Sequence, residues 1–195
     1  RFDDGLGGSV MRNVNSPAGV TDFAASLDQL GRELPRVGSV SLVVSWFGSD
    51  LRCGECRVEP KVEQKEADGA GMPWRVAGAT RATAQEVARL DGRPVYGGTP
   101  CDTSVIQAIR ALNAAGQKVM FYPFMLMEQM AGNGLPDPWG GTEQAPLPWR
   151  GRITTAKAPG IAGSTDGTAA AAAEVAAFFG TAAPGDFAVN GEVVS

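Results

Sequence analysis

Residues 93–112, RPVYGGTPCDTSVIQAIRAL, are the segment that decides the fold of this chain. A short apolar run at 94–96 stops at Gly97 and Gly98, and Asp102 then opens a segment whose apolar residues recur at helical intervals as far as Leu112. This order predicts a strand that ends in two glycines and leads directly into a capped helix. Glycines at such a strand end allow the backbone to approach a ligand or a neighbouring loop closely.

Two longer apolar runs predict further strands. Residues 37–47, VGSVSLVVSWF, form a near-continuous β-branched and aromatic run, which is typical of a strand buried on both faces of a parallel sheet. Residues 118–127, KVMFYPFMLM, predict a third strand, in which Pro123 indicates a bulge or an early end of pairing. We expect these two strands and the short one at 94–96 to run in the same direction.

Helical spacing of apolar residues predicts helices before, between and after these strands along the chain. Their beginnings can be read from Thr, Asp and Ser residues, because these side chains accept hydrogen bonds from the free amides of a first helical turn. The predicted helices are 21–34 with Thr21 or Asp22 as cap, a short helix at 83–90, the helix that Asp102 caps and Ala115-Gly116 ends, and 168–179 with a cap at Ser164 to Asp166 and a stop at Gly180.

The order of these elements predicts the fold class. Strands that alternate with helices and read as buried are typical of an α/β fold with a parallel sheet, whose strands are joined by right-handed crossovers. We expect an extended entry segment at 1–20 and a single domain at 21–195, with long loops at 50–92 and 128–162. In such folds the loops that follow the strands gather at one end, and functional residues gather there with them.

Composition excludes several classes of function. The 195 residues are 44% hydrophobic and 19% charged, with a net charge of −4, and no run of Lys or Arg forms a basic stripe. We therefore expect no nucleic-acid partner, and the lack of an apolar run of about 18 residues predicts no membrane span. The sequence has no histidine, so Ser-His-Asp or Cys-His catalysis is excluded and acid-base chemistry falls to carboxylates, Lys, Tyr or Cys.

The cysteines offer a weaker hypothesis. Cys53 and Cys56 form a C-x-x-C pair, which suits a redox site or half of a zinc site. A redox pair usually opens a helix, and the surrounding charged residues do not predict one. A zinc site needs about four ligands, and only Cys101 is left among the soft ones. The interpretation we favour is two loop thiols, and we predict no metal and no cofactor.

Aromatic and acidic side chains stand at the ends of all three predicted strands. A sugar site needs this mixture, because flat apolar faces cover ring C–H groups while carboxylates bind hydroxyls or exchange protons. Each residue also has a structural interpretation as a helix cap, a turn residue or part of the core. The candidate substrate-binding residues are Trp46 and Asp50 after the first strand, Tyr96 and Asp102 after the second, and Tyr122 and Glu128 at the third.

Several longer motifs carry a resemblance to a known family. Together they resemble the TIM-barrel-like domain of gene transfer agent proteins, which occurs in the large multidomain baseplate protein called megatron of phage-like particles and in related tailed phages. The resemblance runs from about Val40 to about Phe179. The motifs, in chain order, are LVVSWFGSDLRCG, MPWRVAG, RPVYGGTPCDTSVIQAI, VMFYPFMLM, AGNGLPDP and PWRGRIT.

The resemblance implies a fold and leaves the catalytic residues unknown. It implies the N-terminal part of a TIM-barrel-like, glycoside-hydrolase-like parallel β/α fold. In the family, a strand ending in Gly-Ser-Glu follows the AAFFG helix that is matched here at 176–180, and hydrolases of similar architecture use a Glu at the end of the fourth strand as acid/base. The sequence holds no such segment before Ser195, so we expect that Glu beyond it.

The function expected from the resemblance is that of a baseplate component in the tail of a phage or gene transfer agent, made in the bacterial cytoplasm. Its barrel binds or cleaves host envelope glycan in the first hypothesis, and is a structural scaffold without catalysis in the second. The expected partners are other baseplate and tail proteins, the remainder of the same polypeptide and host cell-surface glycan. Because three strands without neighbours leave an open sheet edge, we also expect that this chain alone is not a stable domain.

Overall fold

A computed structural model describes residues 2–3, 9–10, 13–15, 17, 19–186, 188–190 and 193–194. The described residues form mixed α/β structure with small sheets. They fall into two compact units, one of Arg1–Trp46 and Pro60–Met125 and the other of Phe47–Glu59 and Leu126–Ser195. Much of the predicted entry segment at 1–20 lies outside the described residues.

The helices and strands occur in the following order along the described chain. The α-helices are α1 (Asp22–Glu33), α2 (Asp102–Ala114) and α3 (Ala169–Phe179), with single 3-10 turns at Arg150–Arg152 and Pro184–Asp186. The strands are β1 (Phe2–Asp3), β2 (Ser9–Val10), β3 (Ser39–Gly48), β4 (Val58–Glu59), β5 (Lys61–Val62), β6 (Arg75–Val76), β7 (Ala79–Thr80), β8 (Gln85–Glu86), β9 (Arg89–Leu90), β10 (Arg93–Pro94), β11 (Lys118–Met127), β12 (Val189–Asn190) and β13 (Val193–Val194).

The two long strands β3 and β11 are parallel neighbours, as predicted. The amide of Lys118, which begins β11, donates to the carbonyl of Gly38 just before β3, at 2.9 Å. At the other end, Nε2 of Gln129 donates to the carbonyl of Gly48, the last residue of β3, at 3.4 Å. Since the starts of the strands lie together and so do their ends, both run in one direction. The sheet has the order β11-β3-β4, and β4 pairs antiparallel with the end of β3.

The predicted burial of β3 on both faces is wrong, and β11 is less buried than predicted. Exposed and partly buried residues alternate along the first half of β3, where Val43 is 53% exposed. In β11, Met120 is 57% exposed and Phe121 49%. Pro123 neither ends β11 nor interrupts it, because β11 is at the edge of the described sheet, where a missing amide need not break a ladder.

The helices begin close to their predicted positions, with two corrections to their caps. The hydroxyl of Thr21 accepts a hydrogen bond from the amide of Ala24 at 3.2 Å and caps α1 as predicted. Asp102 is the first residue of α2 rather than its cap, and Cys101 stands at the cap without a side-chain hydrogen bond. Thr168 caps α3, not a residue between Ser164 and Asp166, because its hydroxyl already lies next to the first free amides.

The region at 50–92 differs most from prediction, because it contributes to a core. The predicted helix at 83–90 is wrong, since residues there form β8 and β9. The predicted parallel strand at 94–96 is also wrong, because Arg93 and Pro94 pair antiparallel with β9 across a turn whose residues Asp91 and Gly92 have φ of 51° and 75°. Such a positive-φ pair is typical of a tight hairpin. The buried apolar cluster of the first unit consists of Val62, Trp74, Val76, Ala84 and Cys101.

Gly98 allows two backbone segments of the first unit to pack closely against each other. A Cβ on Gly98 would lie 2.8 Å from the carbonyl oxygen of Lys61 and 3.0 Å from the amide nitrogen of Glu63. Next to it, the amide of Thr99 donates to the carbonyl of Lys61 at 2.8 Å. The hydroxyl of Ser45 in β3 donates to the carbonyl of Gly98 at 3.1 Å. The close approach that the sequence predicted is therefore made to protein backbone.

Among the residues that the structure describes, none of the helices has the length and apolar character needed to cross a bilayer.

Candidate functional site

Buried polar side chains gather in the second unit, at the carboxyl ends of β3 and β11. Of the six buried polar side chains among the described residues, five belong to this unit. Buried polar groups are costly unless they are paired, so such a concentration indicates a site or a polar network that fixes the loops. We call these five residues the strand-end cluster: Asp50, Glu128, Gln129, Gln144 and Thr155.

Asp50 is the centre of a hydrogen-bonded network within this cluster. Its Oδ1 accepts from the backbone amide of Arg52 at 2.7 Å and from Nε2 of Gln144 at 2.7 Å. Its Oδ2 accepts from Nη2 of Arg52 at 2.7 Å, and the Asp50 side chain is only 5% exposed. Burial raises the pKa of this carboxyl, but the hydrogen bonds from Arg52 and Gln144 outweigh burial and leave the pKa below its ordinary value. Asp50 is therefore an ionised carboxylate whose oxygens already have donors.

Gln144 links this network to the loop that follows β11. It is fully buried, and its Oε1 accepts from the amide of Leu51 at 3.0 Å. The backbone carbonyl of Gln144 accepts a hydrogen bond from Nδ2 of Asn133 at 2.8 Å. The loop at 128–162, predicted as irregular, is thus tied by side-chain bonds to the segment after β3. This fixed geometry suits a binding surface, because little conformational entropy remains to be lost.

Glu128 and Gln129 follow β11 directly and are both buried, with exposures of 8% and 7%. The amide group of Gln129 donates to Gly48, as described above, while its Oε1 accepts no hydrogen bond from any described residue. The backbone carbonyl of Gln129 accepts from the amide of Leu147 at 2.7 Å. An unpaired buried acceptor is uncommon and costly, and the described residues hold a second one, Oε1 of Gln117 just before β11, so a buried polar atom is left unsatisfied at each end of this strand.

The other four predicted site residues belong to the first unit. Trp46 packs against the buried apolar cluster of that unit, and Tyr96 is partly buried. Asp102 is exposed, and its Oδ2 accepts from the amide of Ala77 at 3.3 Å. Tyr122 is 38% exposed and its ring meets that of Phe124 edge-on at 5.6 Å. Of the six predicted residues, Asp50 and Glu128 thus belong to the strand-end cluster, and the role of all six in binding stays a prediction.

The cysteine pair lies in the turn after β3. The amide of Cys53 donates to the carbonyl of Thr154 at 2.7 Å, and no helix begins at this pair in the described chain. Burial raises the pKa of both thiols, and nearby Glu174 raises that of Cys53 further. Both are therefore thiols at neutral pH, which does not suit a thiolate redox site. Among the described residues, no group of three His, Cys, Asp or Glu could hold a metal ion.

Sequence reasoning missed an ionic cavity in the first unit. The cavity has a volume of about 380 Å³, and Arg81 in its wall pairs with Glu63 at 3.1 Å and with Asp68 at 3.2 Å. Although burial raises the pKa of Asp68, the amides of Trp74 and Gly69 and the Arg81 guanidinium lower it overall. These residues lie in the 50–92 region, where isolated charges gave no periodic signal. The pairs satisfy one another, so we interpret the cluster as structural.

No protein-family model matches the chain, and no curated protein matches it.

Proposed function

We propose that this chain is a component of the tail baseplate of a phage or gene transfer agent, and that its TIM-barrel-like part contacts host envelope glycan. In this proposal β3, α2 and β11 form a parallel β/α unit of a glycoside-hydrolase-like barrel. The proposal draws the family from the ordered motifs of the sequence. The observation that carries the glycan contact is the strand-end cluster, because polar residues at the carboxyl ends of parallel strands are where such folds bind their substrates.

Within this proposal, binding is better supported than cleavage by the described residues. Glycoside hydrolysis needs two carboxyl groups, one of which must hold a proton to give to the leaving oxygen. Asp50 has a lowered pKa, so it does not suit proton donation, and its burial with donors on both oxygens does not suit attack. Glu128 is the one remaining carboxyl of the cluster. Cleavage, if it occurs, would need a second carboxyl group from outside the described cluster.

The direct test uses the full polypeptide that contains this chain. Purified protein is incubated with insoluble cell-wall sacculi and with capsule polysaccharide from the producing species, and cosedimentation and released reducing ends are measured. We expect cosedimentation. Release of reducing ends would add hydrolysis to binding. Failure to cosediment with either polymer would contradict the glycan contact.

A second candidate function is that of a structural baseplate module without glycan binding. It is favoured by the apolar side chains that β11 exposes at the edge of the described sheet, with Met120 at 57% and Phe121 at 49%. Such an edge invites pairing with another strand. In this case the remainder of the polypeptide or another baseplate protein supplies that strand. The two candidates separate at sacculus binding, which the first expects and the second does not; Phe121→Lys should disrupt assembly into particles and, in the first candidate, leave sacculus binding unchanged.

A further inference from the structure

The C-x-x-C pair of the sequence lies in one tight turn between β3 and β4, within the second unit. The amide of Cys56 donates to the carbonyl of Cys53 at 3.4 Å and to the carbonyl of Arg52 at 2.9 Å. A hydrogen bond from residue i+3 back to residue i is typical of a β-turn, in which the two Cα atoms lie less than about 7 Å apart. Most disulfides join Cα atoms that are about 4.4–6.8 Å apart. This turn, residues 52–56, therefore holds both cysteines at a spacing that a disulfide can bridge, and we call it the cysteine turn.

The two cysteines differ in their access to solvent. Cys53 is buried, with 6% of its surface exposed, whereas Cys56 is only partly buried. The two thiols still interact, since a negative charge on Cys56 raises the pKa of Cys53, and charges have such an effect only over short distances. A small oxidant in solution therefore reaches Cys56 first, and Cys53 lies close enough to react with it next.

Hydrogen bonds around the cysteine turn hold it in place. The amide of Cys53 donates to the carbonyl of Thr154 at 2.7 Å, and the amide of Thr154 donates to the carbonyl of Leu51 at 2.9 Å. Just outside the turn, the amide of Ser49 donates to the carbonyl of Arg57 at 3.1 Å. The amide of Arg57 donates in return to Oγ of Ser49 at 2.9 Å. Because the turn is fixed in this way, closing a disulfide across it costs little further conformational entropy.

The raised pKa values of the two thiols slow disulfide formation without opposing it. The thiolate is the attacking species, so a raised pKa lowers the rate of exchange at neutral pH. At equilibrium, a disulfide is easily reduced where the fold stabilises the reduced thiolate, and the pKa values of this pair are shifted in the opposite direction. The cysteine turn therefore suits a slowly formed, stable disulfide better than rapid catalytic exchange.

From these observations we propose that Cys53 and Cys56 form a reversible disulfide when the protein meets a small disulfide oxidant such as oxidised glutathione. The Cys56 thiolate attacks one sulfur of the oxidant, which breaks its S–S bond, forms a mixed disulfide and releases the first glutathione thiolate. The Cys53 thiolate then attacks the Cys56 sulfur and releases the second glutathione thiolate. The two protons lost by the cysteines pass through solvent to these thiolates, so two electrons and two protons reduce the oxidant to two thiols. This modification does not depend on the proposed function.

The disulfide would restrain the backbone beside the strand-end cluster. The cysteine turn begins at Arg52, which donates to Asp50 from its backbone amide and from its guanidinium, at 2.7 Å in both cases. These bonds help to lower the pKa of Asp50. A cross-link within the turn reduces the conformations open to it. Oxidation should therefore fix the contact between Arg52 and Asp50 and, with it, this end of the candidate site.

The test compares oxidation of the folded and the urea-unfolded protein, because any C-x-x-C segment can form some disulfide. The full polypeptide that contains this chain is equilibrated in mixtures of reduced and oxidised glutathione, then quenched with acid, alkylated in urea and digested with trypsin. Trypsin cuts after Arg52 and Arg57, so one peptide, CGECR at 53–57, carries both cysteines. In its mass spectrum the disulfide appears as the loss of two hydrogen atoms without alkylation.

We expect the fold to favour the disulfide. The ratio of squared reduced to oxidised glutathione concentration at which half of the pair is oxidised should be at least about tenfold higher for the folded protein than in urea. Cys53→Ser should instead accumulate a mixed disulfide of Cys56 with glutathione, because the second thiol is missing. Cys101→Ser is the matched control, and it should change the ratio at half-oxidation by less than about twofold.

The wild-type protein alone can overturn the inference. Equal ratios at half-oxidation in the folded and unfolded protein, or a folded protein that is harder to oxidise, would show that the fold does not build this disulfide. A wild-type reaction that stops at the mixed disulfide with glutathione, or a disulfide that joins either cysteine to Cys101, would also overturn it. Sacculus binding is measured separately, so failure of the disulfide leaves the proposed function standing.

Discussion

Replacing Gly98 with alanine should open the contact between two backbone segments of the first unit. The new Cβ would lie 2.8 Å from the carbonyl oxygen of Lys61, 2.9 Å from Oε2 of Glu63 and 3.0 Å from the amide nitrogen of Glu63. The carboxylate can move, but the two backbone atoms cannot move without shifting β5. Overpacking of this kind costs roughly 1–3 kcal/mol. Loss of the 2.8 Å hydrogen bond from Thr99 to Lys61 adds about 1 kcal/mol.

The expected cost of Gly98→Ala is therefore about 2–4 kcal/mol, and Gly97→Ala is its matched control. A Cβ on Gly97 would meet no atom within 4 Å, and Gly97 is not among the positive-φ glycines of the described chain. We expect this control to change stability by less than about 0.5 kcal/mol.

Hydrogen exchange of the Thr99 amide measures the difference in the purified protein. Each 1.4 kcal/mol of lost local stability is a tenfold rise in the open population. Gly98→Ala should therefore speed exchange by about 30- to 700-fold, and Gly97→Ala by about twofold at most. Unchanged protection of Thr99 in Gly98→Ala, or equal loss in both variants, would refute the explanation given for the two glycines.

Three further predictions concern single side chains. The pKa of Asp50 is lowered below 3.8, so its carboxylate stabilises the fold above that pH and this contribution is lost as pH falls through the folded-state pKa. Asp50→Asn should lower the free energy of unfolding in urea by about 3 kcal/mol at pH 7, and should flatten the dependence of stability on pH below about 4. An unchanged dependence on pH in this variant would argue against the Asp50 network. In the folded protein at pH 7, Cys53 and Cys56 should react with iodoacetamide far more slowly than a peptide thiol, because burial raises the pKa of both. In urea, both should react as fast as the peptide thiol. Thr21→Ala should destabilise α1 by about 1 kcal/mol, which hydrogen exchange would detect as faster exchange of the Ala24 amide. Thr103→Ala, in the exposed first turn of α2, is the control and should have little effect on stability. Equal effects of the two substitutions would exclude a cap at Thr21.

The sequence predicted long elements well because their signals are repeated over many residues. β11 occupies the predicted range 118–127, and β3 begins within two residues of Val37. Both are long apolar runs, and their parallel pairing followed from the helix between them. The parallel strand at 94–96 failed because a two-residue run has no periodicity of its own, and the local Asp91-Gly92 turn determined the pairing instead. The barrel interpretation therefore rests on two parallel strands rather than three.

The site could be predicted only in part. Asp50 and Glu128 were selected because they follow strands, and the structure places both in the strand-end cluster. Gln144 and Gln129 were missed, since an amide within a Gly- and Pro-rich loop gives no pattern that distinguishes a buried network from a solvated turn. The same holds for Arg81, whose partners Glu63 and Asp68 are 18 and 13 residues away. Contacts across such distances depend on how the loop folds back, which local spacing does not encode.

We propose that β3 and β11, which are parallel neighbours, belong to a sheet that functions inside a tail baseplate. The most direct test of this proposal is a cryo-electron microscopy reconstruction of tail particles isolated from producing cells and assembled with the full polypeptide. We expect density for this chain at the tail tip, with β3 and β11 side by side and another strand paired along the side of β11 that faces away from β3. A reconstruction that lacks the chain, or that shows residues 118–127 unpaired and facing solvent in the assembled particle, would contradict it.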